Sequence, residues 1–367
     1  MKIAYDAKRF FNNTSGLGNY SRDLVRMLAA FFPENKYMLL AKRDNERGKA
    51  ILENPSVSFS PISKGNMARQ IKMGKDAQNL DADIFHGLSG ELPLKWNKKP
   101  IKKIVTIHDL IFVHYPQFYS FFDRKIHFWK FKKAAHSADK IIAISEQTKR
   151  DIITFLKVPE AKIEVIYQGC HEAFKTEKTL KERNAVKIKY NLPERFVLNV
   201  GTVEERKNLF SVVKALKGTD IPLVVVGRKT NYADQILSFI KKENMTLQVQ
   251  FLEGVSMVEL ACIYQLADIF VYPSLFEGFG IPIIEAHFSK TAVITSNTSC
   301  LPEAGGKDAV YINPLNVADI KAKINFLWNN ASERQRRAEK SYDFAVANFS
   351  DEKIAHDVMR VYQSVIN

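Results

Sequence analysis

The chain has 367 residues, 46% of them hydrophobic, and a formal net charge of +14. That is enough apolar material for a large buried core and about two domains, while no apolar run approaches the ~18–20 residues of a membrane span. Cys170, Cys262 and Cys300 are odd in number and unpaired in spacing, which argues against a disulfide framework and a zinc site.

The start, Met-Lys-Ile-Ala-Tyr-Asp, is too polar for a signal peptide, so a cytoplasmic protein is expected. Residues 1–188 hold 34 Lys and Arg against 20 Asp and Glu, and residues 189–367 hold 20 against 20, so the whole surplus lies in the first half. A one-sided basic excess attracts an anionic partner: nucleic acid, an acidic membrane face or a phosphorylated substrate. Soluble enzymes with no such partner show it too.

In chain order, Ile3 to Tyr5 reads as a strand, followed by a loop from Asn13 to Tyr20 that holds Gly16 and Gly18. A helix with Leu24, Val25, Leu28 and Phe31 at helical spacing comes next. Such a βα unit lets a ligand approach the loop backbone. Strand patterns recur at 37–41, 84–86, 104–108 and 140–145 with helical segments between them, the pattern of a doubly wound parallel sheet. Asp81-Ala82-Asp83 has the spelling of a metal-binding Asp-x-Asp, but its place before a strand reads as a turn. His108 and Asp109 stand at the carboxyl end of an apolar strand, where open α/β sheets bind ligands. Ser145 and Thr148 read as a helix cap. Residues 114–133 interleave aromatics with bases, a pattern open to a packed helix with a solvated basic face, a nucleic-acid surface or a membrane-edge segment. The spacing of Phe121, Ile126 and Trp129 favours packing for much of it, and the Tyr115–Phe122 stretch is the part expected to touch a lipid-linked or glycan acceptor.

The strand 163–167 closes the first half, and a polar stretch at 172–190 marks the junction. A new sheet begins at Phe196. It runs into Gly201-Thr202-Val203-Glu204-Glu205-Arg206-Lys207-Asn208 and then a helix. Two cations at a helix start oppose its dipole, a cost that an anionic ligand offsets; Arg206 can fork onto phosphate oxygens and Lys207 adds a point charge. The strand 223–227 ends in glycine, with Arg228 beyond it. Strand 269–272 leads into a loop with Gly278 and Gly280, then a helix with Pro282 in its first turn. The N–H groups of Phe279, Gly280 and Ile281 at that helix start suit a phosphate. Glu277 and Glu285 flank this anion site, which makes sense if they accept hydrogen bonds from hydroxyls, one from a sugar and one from a ribose. A nucleotide sugar carries all three parts.

The string Glu277-Gly-Phe-Gly-Ile-Pro-Ile-Ile-Glu285-Ala resembles the signature of the retaining glycosyltransferases of family 4 (group 1). The resemblance implies an α/β GT-B fold: two Rossmann-like, doubly wound parallel-sheet domains facing a cleft. It places an acceptor-binding domain at 1–180 and a donor-binding domain at 181–350, with helix 351–367 packing back on the first. It further implies that the Gly16–Gly18 loop faces the cleft, that His108 lies near the reacting sugar, and that Gly201, Arg206, Lys207 and Asn208 belong to the element clamping the donor diphosphate. The segment Gln250 to Val255, with Glu253, resembles the part that cradles the nucleobase.

The resemblance implies a retaining reaction, with same-face attack by an acceptor that the leaving phosphate deprotonates, and no metal is expected to be required. Glu277 would hold sugar hydroxyls and Glu285 the ribose; Thr202 stands with the donor-binding residues. The motif variants resemble bacterial mannosyltransferases of surface polysaccharide assembly, so GDP-mannose is the first donor expected, with UDP-sugars open. The acceptor expected is a glycan or lipid-linked glycan, its carrier bringing the basic half to an anionic membrane; no nucleic acid is expected. A GT-B epimerase or phosphorylase would reuse the same site, although no cofactor-binding lysine for a phosphorylase is evident. A nucleic-acid-binding protein would leave Glu277 and Glu285 unexplained. After Glu285-Ala286 the chain departs from the family with His287, Phe288, Lys290 and Ala292; Lys290, where glycine usually ends the helix, predicts a different cap.

Overall fold

The computed structural model describes residues 1–13, 16–65 and 67–366. It divides into two compact units, Met1–Gly169 with Ser350–Asn367, and Cys170–Phe349.

Among the described residues the first unit has a seven-stranded parallel sheet: β1 (Lys2–Asp6), β2 (Lys36–Ala41), β3 (Val57–Pro61), β4 (Ile84–Gly87), β5 (Lys102–Ile107), β6 (Lys140–Ala143) and β7 (Ile163–Val165). The spatial order is β3-β2-β1-β4-β5-β6-β7, so the strand order reverses between β1 and β4. Runs such as Lys-Ile-Ile-Ala in β6 are buried almost throughout, as a parallel sheet covered on both faces requires. Helix Gly16–Phe31 buries Tyr20, Leu24, Val25 and Leu28 against it.

Helix Asp351–Ile366 belongs to this unit and buries Ile354, Val358, Val361 and Val365, the four positions its spacing selects. Arg26 pairs with Asp351 at 2.9 Å. Tyr362 also enters a buried polar chain. Its Oη lies 2.7 Å from His86 Nδ1 and 3.1 Å from Tyr5 Oη, and His86 Nε2 lies 2.8 Å from Thr106 Oγ1. Burial, helped by nearby His108, lowers the His86 pKa to about 3. The Asp81–Asp83 turn serves the strands, with Asp83 accepting the Lys2 N–H at 2.8 Å.

Two expectations are corrected here. Phe121, Ile126 and Trp129 are exposed; the packed side of helix Phe121–Ser137 carries Ala134 and Ala135, and Phe131 reaches Phe112. The stretch 172–190 is structured and lies within the second unit. Phe174 is buried against Tyr264, Lys178 N–H donates to Gln265 Oε1 at 2.9 Å, and a Thr179–Glu182 capping box opens helix Leu180–Lys189. The first unit therefore ends at Gly169 rather than near 180.

The second unit has six parallel strands among the described residues: β8 (Val197–Val200), β9 (Leu223–Val226), β10 (Val249–Leu252), β11 (Ile269–Tyr272), β12 (Ala292–Ser296) and β13 (Val310–Ile312). Their order is β10-β9-β8-β11-β12-β13, which sets β8 and β11 side by side at the reversal. Crevices at the carboxyl ends of such strand pairs are where α/β sheets take ligands.

Candidate active site

β8 runs into Gly201, whose φ of 140° strains any L side chain. A Cβ there would also lie 3.0 Å from Lys207 Cδ, so glycine leaves room for the lysine stem to fold back over the strand end. A single tight turn, Glu205–Lys207, then presents the two cations, and Asn208 ends it with φ 56°. Asn208 fixes the turn by donating through Nδ2 to the carbonyls of Pro314 at 2.8 Å and Pro273 at 3.2 Å.

These cations meet the carboxylate supplied by the loop after β11. Lys207 Nζ donates to Tyr272 Oη at 2.8 Å and lies 3.2 Å from Glu277 Oε1. Tyr272 Oη donates to the same oxygen at 2.8 Å, and Ser274 Oγ does so at 2.9 Å. Arg206 Nη1 lies 2.7 Å from Glu277 Oε2 and donates to the Phe276 carbonyl at 2.5 Å, while Nη2 reaches Glu204 Oε1 at 2.5 Å. Burial alone would raise the Glu277 pKa; Lys207 and Arg206 outweigh it and hold the carboxyl at about 2. Burial would lower the Lys207 and Arg206 values, and Glu277 drives both above their ordinary range. All three groups are charged at neutral pH.

Arg206, Lys207 and Glu277, expected in separate roles, are thus each other's counter-ions in this structure. Tyr272 and Ser274, which the sequence places only at a strand end and in the loop after it, complete the cage.

Gly280 opens helix Ile281–Phe288 with φ 112°, and a Cβ would sit 3.2 Å from both Ile283 and Leu301. Glu285, one turn in, is buried and accepts from Tyr264 Oη at 3.0 Å. The loop is pegged from behind. Ser299 Oγ donates to the Glu277 carbonyl at 2.8 Å, and Cys300 Sγ donates to the carbonyls of Glu277 at 3.1 Å and Phe279 at 3.2 Å. No sequence pattern marked these two residues.

The expected change of helix cap is not found. Lys290 itself takes the left-handed conformation, φ 53°, donating to the His287 carbonyl at 3.0 Å, and Thr291 N–H reaches Ala286 O at 2.9 Å. That is the Schellman arrangement glycine usually serves. His287 is fully buried beside Phe344. Burial lowers its pKa to about 4; the carbonyls of Ala304 and Gly305 pull the other way, although neither ring nitrogen reaches a partner with full hydrogen-bond geometry. Thr202 is half-buried beside Gly201. Glu253, beyond β10, is exposed and paired with Lys229 at 2.9 Å, which holds its pKa below the ordinary value.

In the first unit, His108 follows β5 and is buried, its ring held from both sides. Nε2 lies 2.9 Å from the Leu88 carbonyl and Nδ1 lies 3.0 Å from Gln168 Nε2. Donation to Leu88 and acceptance from Gln168 fix the neutral tautomer, and burial lowers the pKa to about 4. Tyr20 packs edge-on against the ring at 4.7 Å. Gly18 is required by space, since a Cβ would lie 2.0 Å from the Asn13 carbonyl oxygen, whereas Gly16 has open surroundings. Thr14 and Ser15 of that loop lie outside the described residues.

A cavity of about 390 Å³ follows the ends of β1 and β2, lined by Lys8, Lys42, Arg43 and Arg69 among others. Arg69 is matched by Asp6 and Glu91, each at 2.7 Å, and no ion pair holds the other three among the described residues. Burial, then Arg69 and Arg9, lower the Lys8 pKa. These cations are scattered in the sequence and gave no motif.

Comparison with known proteins agrees with both halves. Residues 14–174 match the model for Glycosyltransferase Family 4, and residues 181–344 match the model for Glycosyl transferases group 1. The serotype-specific mannosyltransferase WbdA of Escherichia coli is 28% identical over 283 residues, covering 72% of this chain but 34% of its own length. The chain thus spans about a third of that relative. The Escherichia coli O-antigen chain mannosyltransferase B is 24% identical over 354 residues, with 88% of this chain and 90% of that protein covered. The crystal structure of HepE from Anabaena, in complex with UDP and glucose, superposes with a TM-score of 0.78 at 15% identity, covering 99% of this chain and 100% of that one.

Proposed function

Because this chain belongs to the family 4, group 1 glycosyltransferases and has the GT-B fold, we propose that it moves mannose from GDP-mannose to a glycan acceptor, with retention of anomeric configuration and without a metal ion. The cluster of Lys207, Arg206 and Glu277 where β8 and β11 end carries this reading. Cleaving the anomeric C–O bond leaves charge on the diphosphate and a cation-like sugar. In this reading Lys207, Arg206 and the N–H groups at 279–281 take the phosphate charge. As the cations turn toward phosphate, Glu277 oxygens become available to sugar hydroxyls, and Glu285 meets the ribose. His108, neutral and fixed, orients the hexose; with both nitrogens engaged it is a positioning group and not a base.

The relatives named as mannosyltransferases support mannose as the sugar. The acceptor in this reading is a growing polysaccharide on a lipid carrier, which brings the basic first half against an anionic membrane face. The cationic cavity beyond β1 and β2 suits the acidic part of such an acceptor.

Calorimetric titration of GDP-mannose, UDP-glucose, UDP-galactose and UDP-N-acetylglucosamine in the presence of a chelator tests the donor. Binding of GDP-mannose, weakened in Lys207→Ala and Glu285→Ala, is expected. Preference for a UDP-sugar overturns the donor, and a need for divalent metal overturns the metal-free step. The anomeric configuration of the product, read by NMR, tests retention.

A further inference from the structure

Helix Phe121–Ser137 presents an uncovered face that the transfer chemistry does not use. Phe121 is 54% exposed, Phe122 76%, Ile126 51% and Trp129 51%. At 3.6 residues per turn these four fall within one arc of about 140°. The same arc holds Lys125, Lys132 and Lys133, all exposed, and no acidic residue; Asp123 lies outside it. The lysines sit against the rings, Lys125 Nζ 4.5 Å from the Phe121 centroid and Lys133 Nζ 5.2 Å from that of Trp129. A groove of about 610 Å³ runs alongside, lined by Phe128, Trp129, Lys132, Lys133, His136 and Ser137.

Single exposed apolar residues are ordinary, but four large ones along one helix face mark a surface that meets something apolar. The interleaved lysines say what. Aromatic and aliphatic groups flush with lysine ammoniums match the boundary between acyl chains and anionic headgroups, where long lysine stems reach up to phosphate. A second copy docking about a two-fold axis would set these lysines against their own equivalents, which charge repulsion opposes.

We propose that this face docks the protein on an anionic lipid bilayer, with Phe122, Ile126 and Trp129 entering the interface and Lys125, Lys132 and Lys133 meeting lipid phosphates. This rests on the reading that the acceptor is lipid-borne for its purpose, and on the exposed face for its location. Peripheral contact, rather than insertion, fits a chain in which no described helix is long and apolar enough to cross a membrane.

Co-sedimentation with phosphatidylcholine vesicles, with and without phosphatidylglycerol, tests it. Binding only to the phosphatidylglycerol vesicles is expected, falling as salt rises. Replacing Lys125, Lys132 and Lys133 together by Gln weakens it by about two orders of magnitude, and Phe122→Ser with Ile126→Ser abolishes it. Trp129→Phe keeps binding but removes the blue shift of tryptophan emission on vesicles. GDP-mannose titration of each variant verifies its fold and reads the donor separately, so loss of donor binding in the unsubstituted protein would sink the transfer reading alone. Docking is overturned by no partition into phosphatidylglycerol vesicles, by partition that ignores the lysine substitutions, or by a blue shift surviving Trp129→Phe. Dimerisation or nucleic-acid binding lost in the same variants, without vesicle binding, overturns it as well.

Discussion

Lys207 and Glu277, seventy residues apart, share one tyrosine hydroxyl: Tyr272 Oη accepts from the lysine at 2.8 Å and donates to the carboxylate at 2.8 Å. The two charges are therefore held together through one hydroxyl, and in the proposed reading a donor phosphate draws the cations off a carboxylate that is already in place. Removing the ammonium with Lys207→Ala lowers kcat by about two orders of magnitude or more, comparable to losing one oxyanion contact. Initial rates with saturating donor read this, and a change of only a few-fold refutes the assignment. Tyr272→Phe, which keeps both charges and loses the bridge, has the smaller effect.

Glu277→Gln has opposite effects on binding and turnover. In the proposed reading the carboxylate competes with phosphate for Arg206 and Lys207, so removing its charge is expected to tighten GDP binding by on the order of tenfold, while kcat is expected to fall because sugar hydroxyls would lose their acceptor. The variant is also less thermally stable, since two largely buried cations lose their partner, and GDP restores part of the melting temperature. Weaker GDP binding by the folded variant contradicts the competition.

Acid destabilises this chain well before its carboxylates protonate. His86, His108 and His287 have folded pKa values of about 3, 4 and 4 against an ordinary 6.5. The folded state stays neutral where the unfolded chain takes up protons, so this stability is full above about pH 6.5 and declines as pH falls toward the folded values. Glu277 acts in the same direction, losing its contribution between its ordinary 4.5 and about 2. Denaturant midpoints measured from pH 7 to 5 give a slope approaching three protons in excess on the unfolded chain. His287→Phe removes one of them; an unchanged slope shows that this histidine is not buried neutral.

Lys290 holds a left-handed conformation that costs an L side chain roughly 1–2 kcal/mol. Its ammonium lies 4.9 Å from the Tyr342 ring, a contact that offsets part of this. Lys290→Gly raises stability by about 0.5–1 kcal/mol, after allowing for the greater freedom of unfolded glycine. Thermal melts read it, with Lys290→Ala as the control that keeps the strain and loses the ring contact. A lower melting temperature for the glycine variant than for the alanine variant removes the strain argument.

Central strands were legible because a parallel sheet buries both faces and so prints an unbroken apolar run, as in β6 and β9. The edge strand β3, Val-Ser-Phe-Ser-Pro, is half-covered and looks like loop. The charged groups of the site were legible as residue types at fixed spacing, but their pairing was not, because Arg206 and Glu277 meet only when β8 and β11 lie side by side. Helix Phe121–Ser137 shows the limit of periodicity. Phe121, Ile126 and Trp129 share a face, but so does the stripe of Phe131 and Ala135, and which one turns inward depends on distant neighbours. Gly90 is one of them: a Cβ there would lie 2.4 Å from the Phe131 ring.

The first unit is closed by the last helix of the chain, through Tyr362 and its bond to His86. During synthesis, β1 and helix Gly16–Phe31 leave the ribosome early, and then wait while the roughly 180 residues of the second unit are made. At 5–20 residues per second that wait is about 10–40 s, with the apolar side that Ile354, Val358 and Val361 will cover still open to water. The second unit is one uninterrupted segment, Cys170–Phe349. The half that is translated first is thus the half completed last, and a nascent chain cut before residue 350 holds an unfinished first unit, a ready substrate for holding chaperones.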